Sequence, residues 1–310
     1  MNRQDENSEL ASPTSDASEE TGNVPTPPPS KGLLASLHTN DYLIIVCVAA
    51  LFGPMFFEMY KVWMQPEAPQ AYGLLILPAA LGLAWMLRTR LKDVPLQPTS
   101  AGIGVVGLGL FFLLFGTLLN ALTLSALGFV GVVTGIVLVR YGKAVTRHLW
   151  FPLAYLLALV PFPSETLNMM TFPLQRFSIH FAALLLRPFS ELKIEGTQLH
   201  LPNYSLNVIA PCSGLTIVLP IVVLAVYYLY LIDAPRWKKM IILGLTFPVA
   251  MFVNAIRVAL IGLVGEIVSA KAGNAFHDSS GMITTVLGFI LLIVIAREMK
   301  CHQIHEEIAL

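Results

Sequence analysis

Charge is scarce in this chain of 310 residues: Asp, Glu, Lys and Arg together make up 12% of it. Lys and Arg number 19, as do Asp and Glu, so the formal net charge is zero. A nucleic-acid partner would call for a basic footprint, and none is present. Cysteine is scarce too. Cys47 falls in an apolar run, Cys212 at the edge of another and Cys301 in the tail, so no disulfide framework is suggested. No cofactor site is read in the chain. The nearest thing to metal-ligand spacing is Cys301-His302 with His305, too few ligands for a closed zinc site, so no metal is expected. The first thirty residues are short of apolar side chains, acidic, and rich in Pro and Ser, with Pro25-Thr26-Pro27-Pro28-Pro29 near their end. Such a stretch buries too little apolar surface to offset ordering, so residues 1–38 are expected to form a disordered tail. The start also lacks the basic residues and adjacent apolar run of a signal peptide, and the first apolar segment is expected to serve as an uncleaved anchor.

What the chain has is apolar surface. Hydrophobic residues make 55% of it, and its mean hydropathy is +0.71. That profile predicts an all-α polytopic membrane protein. Eight spans are expected, near 42–60, 72–88, 101–119, 122–139, 149–165, 213–232, 240–265 and 281–297. With eight, four basic groups share one side with both termini: Arg88, Arg90 and Lys92; Arg140, Lys143 and Arg147; Arg236, Lys238 and Lys239; Arg297 and Lys300. The positive-inside rule makes that side the cytoplasm. The expected organisation is a cytoplasmic tail over 1–38, a membrane domain over 39–300 and a short cytoplasmic tail over 301–310. Segment 166–190 is apolar but contains Pro173, Arg176, His180, Arg187 and Pro188. It is read as a helix lying in the outer interface or partly re-entering the bilayer. Segment 192–209 partly alternates apolar and polar residues around Pro202-Asn203, which predicts a small extracytoplasmic β-hairpin. Gly131 and Gly135 form a small-xxx-small pair suited to close helix packing.

The alternation of spans sorts the residues that carry chemistry. Cys212, in Ala210-Pro211-Cys212-Ser213-Gly214, stands just before a long apolar run. Free backbone N–H groups and the helix dipole favour a thiolate there, although a buried cysteine is also simply a small hydrophobe. Arg257 is embedded in Asn254-Ala255-Ile256-Arg257-Val258 toward the outer end of its span. A cation so placed either faces a partner or wet cavity, or snorkels to headgroups. Asn254 lies on the same helix face as Arg257. His277 is expected in an outer loop over 271–281, with Asp278 beside it either an exposed loop aspartate or a candidate to orient the ring. A histidine near a cysteine can take its proton. His180 and His200 are rival bases on the same side. Glu58, Glu165 and Glu266 read as interface residues, with Glu58 a candidate partner for an arginine.

The three blocks around Cys212, Arg257 and His277, the last with Gly281 four residues on, resemble the signature blocks of the exosortase/archaeosortase family, over roughly residues 40–300. The resemblance implies a membrane cysteine transpeptidase or protease of the bacterial inner membrane, its active site facing the periplasm. Cys212 would be the nucleophile, His277 the general base and acid, and Arg257 the stabiliser of the tetrahedral intermediate. Asn254, Ser213, Gly214 and Asp278 would support them or bind substrate. The implied partners are membrane lipids and exported proteins with a C-terminal motif such as Pro-Glu-Pro, a transmembrane helix and a basic cluster, often in connection with exopolysaccharide synthesis. Two other classes fit a polytopic chain: a transporter, which needs polar groups along a path through the bilayer, and a non-catalytic scaffold of a polysaccharide export system.

Overall fold

An apolar run of about 20 residues closes its own backbone hydrogen bonds only as a helix, and helices take most of this chain. The computed structural model describes residues 39–65, 68–208, 213–301 and 303. The expected tail over 1–38, Cys212, His302 and residues 304–310 lie outside them. The helices are α1 (Thr39–Trp63), α2 (Gly73–Met86), α3 (Ala101–Leu118), α4 (Leu122–His148), α5 (Trp150–Tyr155), α6 (Ser164–Leu186), α7 (Leu215–Leu231), α8 (Arg236–Ile267) and α9 (Ala270–Glu298). An all-α polytopic membrane architecture is what the composition predicts.

The count of eight full spans needs correction. Among the described residues, six helices are long and apolar enough to cross a membrane: α1, α2 with its 3₁₀ extension to Lys92, α3, α4, α8 and α9. The segment expected over 149–165 gives only α5 and a 3₁₀ turn, Leu156–Leu159. Proline is the reason. Val160 precedes Pro161 and is extended at φ −67 and ψ 114, which stops the helix. At 1.5 Å per residue this segment covers about 15 Å and α7 about 26 Å, less than a hydrocarbon core of about 30 Å. In the other direction, α4 extends past its expected end and then kinks at Gly142, which is non-helical at φ 87 and ψ −179, before a last helical segment to His148. There the Tyr141 carbonyl accepts from Gln97 N at 3.3 Å, and a Cβ on Gly142 would run into the Gln97 carbonyl.

The close helix contacts fall into two sets. In the first, α3 and α4 pack backbone to backbone. Gly102, Gly109 and Gly116 of α3 recur every seven residues against α4, where Gly131 and Gly135 sit against the α3 backbone. Phe52, Met59, Ile76, Leu83 and Phe129 fill the core between α1, α2 and α4. In the second set, α6, α7 and α9 surround α8, with Ile217, Ile221, Ile242, Ala250 and Leu292 in the core. Helix α7 is the seam. Its Val223, Tyr227 and Tyr230 reach the first core. Tyr230 stacks on Phe151 with ring centroids 3.8 Å apart, and Tyr227 lies 5.6 Å from Tyr155.

Contacts between connections show which ends share a face. Gln97 with Tyr141, Trp150 with Tyr230, and Lys238 Nζ donating to the Met299 carbonyl at 2.7 Å gather the four basic groups at one end. Gln70 with the Phe162 carbonyl and Thr123 with the Pro161 carbonyl gather the connections at the other end. That second end also carries a sheet. The expected two-armed hairpin is a three-stranded antiparallel meander, β1 (Lys193–Glu195), β2 (Gln198–His200) and β3 (Ser205–Asn207). An additional turn at Gly196, φ 60, separates β1 from β2. Ile194, Leu199 and Leu206 stand in register, and Leu199 and Leu206 bury on Ile179, Leu186 and Val258. Segment 166–190 is helical, as α6. It runs alongside α8 in the same direction, since Ser178 meets Asn254 and Leu186 meets Gly262.

Candidate active site

The site is built from one turn each of α6, α8 and α9 and the lead-in to α7. Arg257 leads it. It lies in an apolar stretch of α8 and is 3% exposed, so its charge must be met by neighbours rather than water. Nε donates to Ser280 Oγ at 2.9 Å and Nη2 to the His277 carbonyl at 2.9 Å. Both acceptors belong to α9. Ser280 itself donates to the His277 carbonyl at 3.3 Å, so guanidinium, hydroxyl and carbonyl close a small ring. The guanidinium is therefore fixed against the turn that carries the imidazole. Snorkelling to headgroups is not how this arginine is met.

His277 is not in a loop. The expected outer loop over 271–281 is the beginning of α9, which starts at Ala270 with Ser269 accepting from Ala272 N at 3.1 Å as its cap. The expected loop fills the gap between the apolar runs of the last two spans, but tertiary contacts hold this polar stretch helical. Gly273 comes so close to Gly265 that a Cβ on it would lie 2.8 Å from the Gly265 Cα. This close approach lets α8 and α9 turn back on each other through Val268-Ser269 and brings His277 level with Arg257. The His277 side chain is 12% exposed, and its Nδ1 lies 3.2 Å from Asp278 Oδ1, a carboxylate that is itself 80% exposed.

Ser213 and Gly214 form the lead-in to α7. Ser213 is fully buried, its Oγ accepting from Leu215 N at 3.3 Å. Gly214 caps α7 at φ 94, a conformation that costs a side-chain-bearing residue about 1–2 kcal/mol. A Cβ there would also stand 3.1 Å from both Asn254 Nδ2 and Met251 Sδ. Asn254 sits one turn before Arg257 and is fully buried. Its Nδ2 donates to Ser178 Oγ at 2.8 Å, and Ser178 Oγ donates to the Ser213 carbonyl at 3.1 Å. This buried chain ties α8 and α6 to the residue that follows Cys212 in sequence. Cys212 itself is outside the described residues.

The other candidates have local roles. His200 Nδ1 is 2.9 Å from Ser205 Oγ and its Nε2 3.7 Å from Glu195 Oε2, all within the sheet. His180 Nδ1 lies 2.7 Å from the Arg176 carbonyl of its own helix. Glu58 pairs with Lys61 at 2.7 Å rather than with an arginine. Glu266 accepts from Asn203 N at 2.9 Å and Asn203 Nδ2 at 2.8 Å, anchoring the β2–β3 turn to α8. Sequence reasoning missed Ser178 and Ser280. Ser280 stands three residues after His277 and would have been visible had that segment been read as a helix. No sequence signal singles out Ser178 among the polar residues of α6.

Beside Arg257 lies a cleft of about 470 Å³. Arg257, Asp278 and Gln65 line it together with Tyr72, Tyr155, Thr216 and mainly apolar side chains of α2, α7 and α9. A buried guanidinium anchored to the His277 backbone carbonyl and opening, with the Asp278 carboxylate, onto a mainly apolar slot suits stabilisation of a developing oxyanion away from water. No curated protein and no solved structure matches the chain. The model of the transmembrane exosortase family matches residues 63–294, which include α2 through most of α9 and every residue of the site just described. The chain belongs to the transmembrane exosortase family.

Proposed function

We propose that this membrane protein is a cysteine transpeptidase or peptidase that cleaves exported proteins at a C-terminal sorting signal. The observation that carries the reading is the bond between buried Arg257 and the His277 carbonyl, which joins two of the three expected catalytic residues directly. In the proposed reaction the Cys212 sulfur attacks the scissile carbonyl. His277 takes the thiol proton and later delivers it to the leaving amine. The tetrahedral oxyanion forms beside Arg257, whose charge acts through a low dielectric. The amine leaves as the C–N bond breaks, and an acyl thioester stays on Cys212. An acceptor nucleophile or water then attacks the thioester, gives up its proton to His277 and releases the thiol. Asp278 steadies the ring from Nδ1. Asn254, Ser178, Ser213 and Gly214 hold the chain that presents the sulfur. The end with the four basic groups faces the cytoplasm of a bacterial inner membrane, and the site faces the periplasm.

The test is co-expression with an exported reporter ending in a Pro-Glu-Pro motif, an apolar helix and an arginine cluster. With the wild-type chain, the mature reporter loses its C-terminal helix by mass spectrometry. Cys212→Ala, Arg257→Ala and His277→Ala each keep it full length while inserting normally. A shortened reporter with Cys212→Ala removes the nucleophile assignment.

A further inference from the structure

The cleft beside Arg257 carries its charged groups, Arg257 and Asp278, at the site; its other walls are mainly apolar, with Thr216 among them and the Tyr155 hydroxyl donating to the Val223 carbonyl at 3.4 Å. On α9 the wall continues from Asp278 and Gly281 through Met282, Thr285 and Val286, one helix face recurring at three and four residues. The Thr285 hydroxyl is taken up by the Gly281 carbonyl at 3.1 Å, which satisfies its polar atom within α9. On α7 the wall is Pro220 and Leu224, and on α2 it is Leu75. Large apolar side chains stand bare on facing walls: Leu75 is 62% exposed, Met282 80% and Val286 53%. The helices that carry Leu75 and Met282 are apolar enough to lie in hydrocarbon, so the opening is one that an apolar ligand enters sideways. From Asp278 to Val286 the wall is about 12 Å long, or two helical turns.

We propose that this cleft seats the membrane-spanning segment of the peptide substrate, holding about its first two turns while the bond to be cut lies at Arg257. This rests on the peptidase reading above. The occupant it requires is apolar along its body and carries its reacting carbonyl at one end, which matches a cleft whose charged groups, Arg257 and Asp278, stand at the site while its other walls are mainly apolar. A helix also presents ridges at three- and four-residue spacing that fit the rows on α7 and α9, whereas an acyl chain needs no such paired rows. The cleft is continuous with the site, since Arg257, Asp278 and Gly281 line it. A seated helix therefore delivers the residue just before it to the guanidinium without unwinding.

The test uses the full-length protein in membranes with the reporter described above. A photo-crosslinking residue, p-benzoylphenylalanine, replaces Leu75, Met282 or, as a lipid-facing control, Ile103 of α3, which is 64% exposed. Processing is read in the wild type and crosslinks in the Cys212→Ala background. The expected result is reporter processing with crosslinks to its helix from positions 75 and 282 and not from 103. Leu75→Trp and Met282→Trp then lower processing about tenfold, while Ile103→Trp leaves it unchanged. Processing without cleft crosslinks, or with equal crosslinks from 103, overturns the docking assignment and leaves the peptidase reading standing. Cleft crosslinks without processing show that the cleft seats the helix but remove the peptidase, and with it the assignment of that helix as substrate. Neither processing nor crosslinks overturns both. Crosslinks at 75 and 282 to phospholipid or to a second copy of this chain, in place of the reporter, also overturn the assignment.

Discussion

At the scale of single residues, Arg257 does more than carry charge. Its planar fork serves Ser280 through Nε and the His277 carbonyl through Nη2. A lysine keeps the charge but reaches only one of these acceptors with fixed geometry. Arg257→Lys is therefore predicted to lower reporter processing about 100-fold with the protein still folded. Near-normal processing in that variant would mean that charge alone suffices. Ser178 passes a hydrogen bond from Asn254 to the Ser213 carbonyl in a fully buried setting. Ser178→Ala strips a partner from two buried groups and should cost about 1–3 kcal/mol. Thermal unfolding in detergent measures it; an unchanged midpoint would show that the chain Asn254–Ser178–Ser213 contributes nothing. Gly214→Ala forces a side chain into a left-handed position and against Met251 and Asn254. It is predicted to lower both stability and processing.

At the scale of elements, the first turns of α9 decide whether His277 is placed at all. Two features hold them helical: the Ser269 cap and the close approach of Gly273 to Gly265. Gly273→Val pushes α9 away from α8 and with it the imidazole. A displacement of about 1 Å at a catalytic group can cost about 100-fold in rate, so processing should fall by that order while insertion continues. Ser269→Ala should speed amide exchange over residues 270–274 and spare the later turns of α9. Uniform exchange across α9 in both proteins would remove the cap from the account. This is also the element on which sequence reading stopped short. Ala-Lys-Ala-Gly-Asn-Ala-Phe-His-Asp-Ser-Ser-Gly is polar and rich in small residues, and the contacts that hold it helical come from Gly265, across the α8–α9 turn, and from Tyr204, distant in sequence. The meander escaped in part for a similar reason: three strands of three residues leave alternation too short to count, and only register on Ile179 and Val258 fixes them.

At the scale of the whole molecule, apolar runs and the spacing of basic residues made the helical membrane class, most segment limits and the grouping of ends legible. They left the length of α5 hidden, because hydropathy does not register where Pro161 stops a helix. The alternation of spans put Cys212, Arg257 and His277 at one end, but the bond that joins the last two depends on how α8 and α9 cross. The end with the basic groups is predicted to be cytoplasmic. Cysteines introduced at Asp93 and Glu195 should react with a membrane-impermeant maleimide from opposite sides, Glu195→Cys in intact spheroplasts and Asp93→Cys only after lysis. The central claim is chemical: a sulfur at position 212 carries the acyl group between donor and acceptor. The most direct measurement is the intact mass of the full-length protein quenched in acid during turnover of the reporter. The account predicts an adduct with the mass of the shortened reporter, mapped to Cys212, released by hydroxylamine and missing in Cys212→Ala. Turnover with no such adduct, or an adduct mapped to Cys47 or Cys301, would contradict it.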